Sequence, residues 1–293
     1  MELVINQVFS GLVRASLYFL VTSGLTLLFG VVGTLNMAHF SLYMIASYLT
    51  WTFHNYLMDY SFSVPAAFIC AALAMALLGL IIERVVMRHL YGRQLGEQLL
   101  ITFAMVYILD DITKIVWGSS PLFVARPEIL TTVVTFGNMH FPASDMFVHC
   151  LGLVSGVATW YLLARTSIGR ILRAAYSYKE MLPALGIPIH RTYMGMFVLS
   201  AVFASVAGSA WTMMGMVDLG QAHSLLIESF CVMVIGGMGS FAGTAISAAI
   251  CGLTYSFAIL YVPKMATLLI FVLAGIVLIV RPWGLMGQAG RLH

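Results

Sequence analysis

Few side chains in this sequence could do chemistry, and the first of them, Asn36 and His39, follow a glycine-interrupted stretch of an apolar run. Gly30 and Gly33 weaken the helical pattern of residues 24–44 just ahead of them. A polar group in hydrocarbon is costly unless it finds a partner or faces water, and a broken helix beside polar groups can line a transport pathway. The sequence therefore predicts that Asn36 and His39 line or gate such a pathway. A simple inner turn, in which Asn36 caps the next helix, is compatible with that role.

Residues 228–244 combine a lone carboxylate with a glycine cluster. Glu228 stands beside an apolar run and faces either the pathway or the outer membrane interface. The cluster consists of Gly236, Gly237, Gly239 and Gly243. A phosphate-binding Walker A loop needs Lys-Ser/Thr after its last glycine, whereas Thr244 and Ala245 follow here, so nucleotide binding is excluded. The glycines instead predict a structural corner, where one helix ends and the chain returns or packs tightly.

The other reactive side chains show no catalytic or metal-binding spacing. The eight histidines are scattered, and the four cysteines have no CxxC pair. No Ser/His pair, HExxH motif or paired aspartates lie at suitable helical depth, so we predict no enzyme, no metal site and no bound cofactor.

A secondary transporter or channel is the alternative function. It requires ion-binding acids inside the membrane, and the sequence offers Glu228 and the pair Asp110-Asp111 near an outer end.

Composition indicates a membrane protein. Of 293 residues, 61% are hydrophobic and 9% are charged, and the mean hydropathy is +0.98, whereas soluble domains carry about 25% charged residues. The apolar runs are continuous rather than alternating, which favours helices over a β-barrel. We predict an all-α, multi-pass protein with eight or nine membrane segments in a single domain spanning residues 1–293. The segments fall near 8–33, 37–57, 64–86, 97–117, 145–164, 192–216, 225–238, 243–262 and 264–281, with 37–57 and 225–238 expected to be broken or partial.

Basic residues set the expected orientation, because short loops rich in Lys and Arg stay cytoplasmic. Loop 83–97, loop 165–191 and the C-terminal tail hold ten of the fourteen Lys and Arg residues. Nine crossings place the N-terminus outside, and one crossing fewer would reverse it. The N-terminus lacks a basic region and a cleavage site, so the first segment is predicted to be a permanent span. This topology accounts for the net charge of +3 without a nucleic acid partner.

Loop 165–191 is more ordered than a plain basic loop. Residues 171–186 can form a short amphipathic helix, with Gly186 as its stop and Pro188 preventing continuation. Arg170 and Arg173 share one helical face. The positive-inside rule alone would explain the arginines, but it does not explain Ala174, Glu180 and Gly186 in this order. The pattern predicts a docking loop for a cytoplasmic partner.

Two further patterns concern packing. In loop 118–144, two β-prone runs flank Gly137-Asn138, which predicts a small hairpin or, equally well, an irregular surface loop. Small residues spaced four apart, such as Ala204 with Gly208 and Ala248 with Gly252, predict close helix–helix contacts within this chain or with a second membrane subunit.

Taken in order, these segments resemble the permease subunit of the branched-chain amino acid ABC importers, a family that includes the urea and short-chain amide permeases. The matching segments are GLTLLFGVVGTLNMAHFSLYM, the basic loop ERVVMRHLYGR, the coupling loop RTSIGRILRAAYSYKEMLPALGI, the corner VIGGMGSFAGT and the end RPWGLMG. Tyr178 stands where the family usually has an acid, Lys179 where it often has proline, and Phe40 where glycine commonly follows the histidine.

The resemblance implies one subunit of an ATP-driven importer in the bacterial inner membrane. Its partners would be a second permease subunit, two cytoplasmic ABC ATPases and an extracytoplasmic solute-binding protein. The family usually pairs two different permeases, so the resemblance implies that the second subunit is a paralogue. ATP would be hydrolysed by the ATPases, so this chain is expected to bind no cofactor. The cargo would be a branched-chain or aliphatic amino acid or a small amide. The residues implied in ATPase coupling are Arg170, Arg173, Glu180 and Gly186.

Overall fold

A computed structural model describes residues 2–57, 62–136, 139–177, 186 and 188–287. The helices are α1 Glu2–Val32, α2 His39–Tyr56, α3 Ser63–Val85, α4 Leu95–Trp117, the one-turn α5 Glu128–Thr131, α6 Ala143–Arg165, α7 Ser167–Ser177, α8 Ile189–Thr212, α9 Gln221–Gly236, α10 Phe241–Tyr261 and α11 Ala266–Val280. Two short strands, β1 Val133–Phe136 and β2 Met139–Pro142, lie between α5 and α6. A helix coincides with each predicted apolar segment, so the all-α, polytopic architecture is confirmed.

The helices differ in how well they suit a membrane crossing. Within the described ranges, six are long and apolar enough to cross: Glu2–Val32, Ser63–His89, Ala143–Arg165, Ile189–Thr212, Phe241–Tyr261 and Pro263–Val280. α2 has 18 residues, as many as Pro263–Val280, and α9 has 16, against the roughly 20 that a full crossing takes. Neither helix is broken internally, and partial crossing by either one stays a prediction. α4 has 23 residues but carries four charged side chains.

α1 is the central helix of the bundle. Every residue from Ala15 to Leu28 is buried, under α6, α8, α9 and α10. The approach of α10 is close enough that a Cβ on Gly252 would lie 2.5 Å from the carbonyl oxygen of Gly11. Close backbone contact of this kind stabilises helix pairs in lipid, where apolar bulk alone does not drive association.

A second close contact joins α8 to α2. A Cβ on Gly208 would lie 2.3 Å from the carbonyl oxygen of Tyr43, and the Ser47 hydroxyl donates to the Gly208 carbonyl at 2.9 Å. The predicted small-residue contacts at Gly208 and Gly252 are thus confirmed, and both lie within this chain.

The predicted hairpin in the loop after α4 is also confirmed. β1 and β2 pair antiparallel, with Val133 opposite Pro142. The expected turn residues, Gly137 and Asn138, lie outside the described part of the chain. The ring of Phe141 on β2 contacts that of Phe9 on α1 at a centroid distance of 4.5 Å. The N-terminal end of α1 therefore lies on the same side of the bundle as the hairpin, which we call the hairpin side.

The opposite end of the bundle, the basic side, gathers the loops that are rich in arginine. The C-terminal part of α1 reaches it, where Gly30 lies against Gly239. The loop after α3 also reaches it, since Tyr91 packs on Tyr193 near the start of α8 at a centroid distance of 5.0 Å. Loop 86–94, α7 and the segment after α11 are all on this side, in agreement with the expected alternation of the segments.

Candidate functional site

The chain between α1 and α2 is buried and non-helical. Thr34, Leu35, Asn36 and Ala38 are all buried. The left-handed φ of +76° at Gly33 begins the reversal that follows α1. The ring of His39, at the far end of this segment, contacts the carbonyl of Val21. By the helical rise, Val21 lies about 16 Å back from the C-terminal end of α1. Irregular backbone at membrane depth is stable only where protein or a water-filled cavity surrounds it, so this segment marks an interior site.

His39 joins three helices at that site. Its Nε2 lies 2.9 Å from the Val21 carbonyl oxygen of α1, and its Nδ1 lies 3.2 Å from the Ser200 hydroxyl of α8. A neutral imidazole has one N–H, and a carbonyl can only accept. Nε2 must therefore donate to Val21, and Nδ1 accepts from Ser200. Both ring nitrogens are used within the chain, so in this state His39 positions the start of α2.

Asn36 differs from His39 because its amide is unsatisfied. The residue is 1% exposed, and neither Oδ1 nor Nδ2 has a hydrogen-bond partner among the described residues. The alternative that its side chain caps α2 is wrong, since no side chain caps that helix. An unpaired buried amide is destabilising and needs an explanation. The assignment of Asn36 and His39 to the pathway stays a prediction.

Glu228 lies at the centre of a buried polar network. Its Oε2 accepts from Arg14 at 2.9 Å and from the Tyr18 hydroxyl at 2.6 Å, and its Oε1 accepts from Thr267 at 3.2 Å. The Arg14 guanidinium also stacks over the ring of Tyr255 at 4.5 Å. The network ties α1, α9, α10 and α11 together. The pathway role of Glu228 stays a prediction, and its carboxylate is already supplied with three donors.

The sequence does not link Glu228 to its partners. In the sequence, Arg14 is only a charge within the first apolar segment, and Tyr18 and Thr267 carry no signal. These residues come together only through the packing of α1 against the last helices, and the pair Arg14 and Glu228 is separated by 214 positions.

A second polar contact involves Asp110 on α4. Its Oδ1 accepts from the Ser41 hydroxyl of α2 at 3.0 Å, and its Oδ2 lies 3.7 Å from Nε2 of His223 on α9. The side chain of Asp110 is 17% exposed and that of His223 is 55% exposed. In the sequence, Asp110 counted only toward a secondary transporter and His223 only as one of the scattered histidines.

The glycine corner connects α9 to α10. Gly237 and Gly239 have left-handed φ values of +99° and +87°, which turn the chain between the two helices. The Ser240 hydroxyl accepts from the Gly243 amide at 3.1 Å and so caps α10. A Cβ on Gly243 would lie 2.0 Å from the Gly236 carbonyl oxygen, so here the two helices meet backbone to backbone.

The segment after α11 closes the same corner. The amides of Leu285 and Met286 donate to the carbonyls of Ile235 and Gly236 at 2.8 and 3.1 Å. These are among the last carbonyls of α9, which have no partner within their own helix. The RPWGLMG segment thus acts as an external cap for α9.

The coupling loop begins with a short capped helix. α6 ends at Arg165 and α7 begins at Ser167, because the Thr166 hydroxyl accepts from the Gly169 amide at 3.2 Å as an N-cap. The predicted start at residue 171 was therefore wrong by four residues. The sequence-based prediction did not treat Thr166 as an N-cap, although a threonine ahead of a run with helical apolar periodicity is a known signal for the start of a helix.

The structure places the predicted coupling residues as follows. Arg170 is exposed on α7, and its guanidinium donates to the Ser167 hydroxyl at 2.8 Å. Arg173 lies one turn further along α7. Gly186 has a left-handed φ of +73°, the backbone expected of a helix stop. Glu180 lies outside the described residues, so its role stays a prediction.

A family model described as the permease component of the branched-chain amino acid transport system matches residues 7–280. The chain belongs to this family. The matched region runs from α1 to the last residue of α11, so it contains the buried segment before α2, the short helix α7 and the glycine corner. The permease architecture is thus that of a transport protein, not of an enzyme.

The relatives that this permease matches are named as permeases of branched-chain amino acid transport. It is 28% identical to the high-affinity branched-chain amino acid transport permease LivH of Salmonella typhimurium and 27% identical to BraD of Pseudomonas aeruginosa, each over 97% of this chain and 96% of the relative. It is 24% identical to a probable LivH of Methanocaldococcus jannaschii, over 94% of this chain and 90% of the relative. No solved structure gives a significant match. Within the described residues, no group of three or more His, Cys, Asp or Glu could hold a metal ion.

Proposed function

We propose that this permease is the transmembrane subunit of an ATP-driven importer in the bacterial inner membrane. It works with a second permease subunit, a paralogue of this one, and with two cytoplasmic ABC ATPases that hydrolyse ATP. An extracytoplasmic solute-binding protein delivers the cargo, a branched-chain or aliphatic amino acid or a small amide. The family match over nearly the whole chain and the transport functions of the relatives support this proposal.

The observation that carries the proposal is the placement of α7. This short helix lies on the basic side between two long apolar helices, and only Thr166 separates it from α6. It also contacts α1 and α8, so a force applied to α7 reaches the bundle at three helices. An ATPase that binds α7 can shift the access equilibrium only if its contacts differ between the two states. Arg170 and Arg173 supply charged groups for such contacts.

The substrate side of the mechanism uses the buried segment before α2. The Asn36 amide has no hydrogen-bond partner among the described residues there, and its two polar atoms are available to a passing solute or water when the bundle opens. His39 keeps the start of α2 attached to α1 and α8. The apolar surroundings suit an aliphatic cargo whose selectivity is set mostly by the binding protein.

Transport by the complete assembly tests the proposal. Proteoliposomes with both permeases and both ATPases should take up radiolabelled leucine only with ATP and the binding protein. Arg170→Glu should lower uptake about tenfold, equivalent to about 1.4 kcal/mol of coupling. Arg88→Glu, another exposed arginine on the basic side, serves as the control and should leave uptake unchanged. Leucine movement through this chain alone, without ATPases, would instead support a secondary transporter or channel.

A further inference from the structure

Two polar side chains reach an outer face of the bundle at membrane depth, although the exposed side chains around them on α4, such as Phe103 and Ile108, are largely apolar. Asp110 on α4 and His223 on α9 stand beside each other there, and both are reachable from outside the chain. We call the surface of α4 and α9 around these two residues the α4–α9 face. It includes neither the buried segment before α2 nor the network of Glu228.

The depth of Asp110 follows from its position in α4 and from its partner. By a rise of about 1.5 Å per residue, it lies about 22 Å from the start of α4 at Leu95 and about 10 Å from the end at Trp117. Its partner Ser41 stands in the first turn of α2, which is level with Val21 near the middle of α1. The carboxylate is therefore within the hydrocarbon thickness of about 30 Å.

The exposed stripe of α3 carries no such pair. It is apolar throughout: Ile69, Leu73, Leu77, Ile81 and Val85 are each 50–67% exposed. Such a stripe suits lipid. A charged residue inside a membrane is expensive unless it faces the bundle interior, another protein or water, so the position of Asp110 and His223, unlike the apolar side chains around them, is not suited to lipid.

One carboxylate oxygen of Asp110 is held only by a long ion-pair contact. Ser41 binds Oδ1, whereas the 3.7 Å between Oδ2 and His223 Nε2 is longer than a hydrogen bond. Ser41 thus fixes the carboxylate, and the imidazole of His223 is half-exposed. A carboxylate suits an ammonium group, and an imidazole N–H suits a carboxylate. The two ends of an amino acid zwitterion present these two groups.

We propose that the α4–α9 face lines a water-filled route between this permease and a second permease subunit. There Asp110 contacts the ammonium group and His223 the carboxylate of the transported amino acid. The identity of the cargo rests on the proposed function, whereas the exposure of the face to water does not. A second permease subunit covers the remainder of this face and keeps lipid away from the pair.

Thiol labelling tests exposure to water. In a background with Cys70→Ala and Cys150→Ala, the remaining cysteines are buried. His223→Cys is compared with Leu73→Cys, a matched control that is 67% exposed on the apolar stripe of α3. In membranes holding the full assembly, a water-soluble methanethiosulfonate should modify position 223 at least tenfold faster than position 73, and leucine should slow that reaction. Equal slow rates at both positions, or fast labelling that leucine leaves unchanged, would overturn the proposal.

Transport kinetics test the contact itself. Asp110→Asn should raise the KM for leucine at least tenfold, while Glu128→Gln, an exposed acid in α5, should leave it unchanged. An unchanged KM in Asp110→Asn would overturn the contact with substrate. Failure of the proposed function would show differently, because the unaltered assembly would then lack ATP-dependent uptake while the labelling contrast between positions 223 and 73 would persist.

Discussion

The buried polar side chains of this permease divide into satisfied and unsatisfied groups. His39 uses both ring nitrogens, and Glu228 accepts from three donors. Asn36 uses neither amide atom within the described chain. Removal of a hydrogen-bonded group leaves its buried partner unsatisfied, which destabilises the fold. Removal of an unpaired group instead removes the free-energy cost of burying it. The same kind of substitution should therefore have opposite effects on stability at these positions.

Asn36 and His39 should separate transport from stability. Asn36→Leu is expected to lower uptake while the thermal unfolding temperature in detergent stays the same or rises, because no hydrogen bond is lost. His39→Leu should lower that temperature, because the Val21 carbonyl and the Ser200 hydroxyl lose their partner, at about 1–3 kcal/mol. Normal uptake by Asn36→Leu at normal expression would remove Asn36 from the pathway.

The network of Glu228 should be sensitive to partial removal. Arg14→Met leaves a carboxylate buried without its cation, and such losses cost about 3–5 kcal/mol. The double variant Arg14→Met/Glu228→Leu removes both charges and should recover most of the stability. Unfolding of both variants in detergent, followed by fluorescence, measures the difference. A double variant less stable than Arg14→Met would mean that the network is not a simple charge pair.

At the scale of helices, close backbone contact decides which glycines are required. α10 lies against α1 at Gly252, whereas the position of Gly275 on α11 has no neighbouring atom within 4 Å of an added Cβ. Both residues are helical, so the same change to alanine gains the same helix propensity. Only the contact with α1 differs between them.

Gly252→Ala should destabilise the bundle, because the new methyl group would lie 2.5 Å from the Gly11 carbonyl oxygen and must push α10 away from α1. Gly275→Ala is the matched control and should be neutral or gain about 0.5–1 kcal/mol. The unfolding temperatures of the two proteins give the comparison. Equal effects at both positions would show that the contact between α10 and α1 adjusts freely.

Sequence analysis worked for elements whose signal is local. Continuous apolar runs located the membrane helices, and Gly-Asn between two β-prone runs located the hairpin. It failed where the deciding contact was distant, as for Arg14 with Glu228, or where one cap moved a boundary, as for Thr166. It also gave no sign that Asp110 and His223 are neighbours, because only the packing of α4 and α9 around α2 brings these residues together.

The whole molecule is polarised by charge. Arg84, Arg88 and Arg93 lie at or after the end of α3, and Arg165, Arg170 and Arg191 lie around α7, all on the basic side. Few basic residues stand on the hairpin side, where α1 begins. The positive-inside rule predicts that the basic side is cytoplasmic and that the N-terminal end of α1 is extracytoplasmic.

Labelling of single cysteines from outside intact cells should confirm this orientation. With Cys70 and Cys150 replaced, an impermeant maleimide should modify Glu128→Cys, in α5 on the hairpin side, before lysis. Arg88→Cys, on the basic side, should react only after lysis. Both original side chains are exposed, so accessibility is matched. Reaction in the reverse order would invert the topology and place α7 outside the cell.

The main-chain bonds from Leu285 and Met286 to the end of α9 have a consequence for biogenesis. The last carbonyls of α9 can gain these partners only after α10 and α11 have been synthesised and inserted, so the corner must wait for a much later stretch of polypeptide. A nascent chain halted by the ribosome before residue 285 would leave this end of α9 incomplete. Quality-control proteases of the membrane would have a site there at which to distinguish unfinished copies from finished ones.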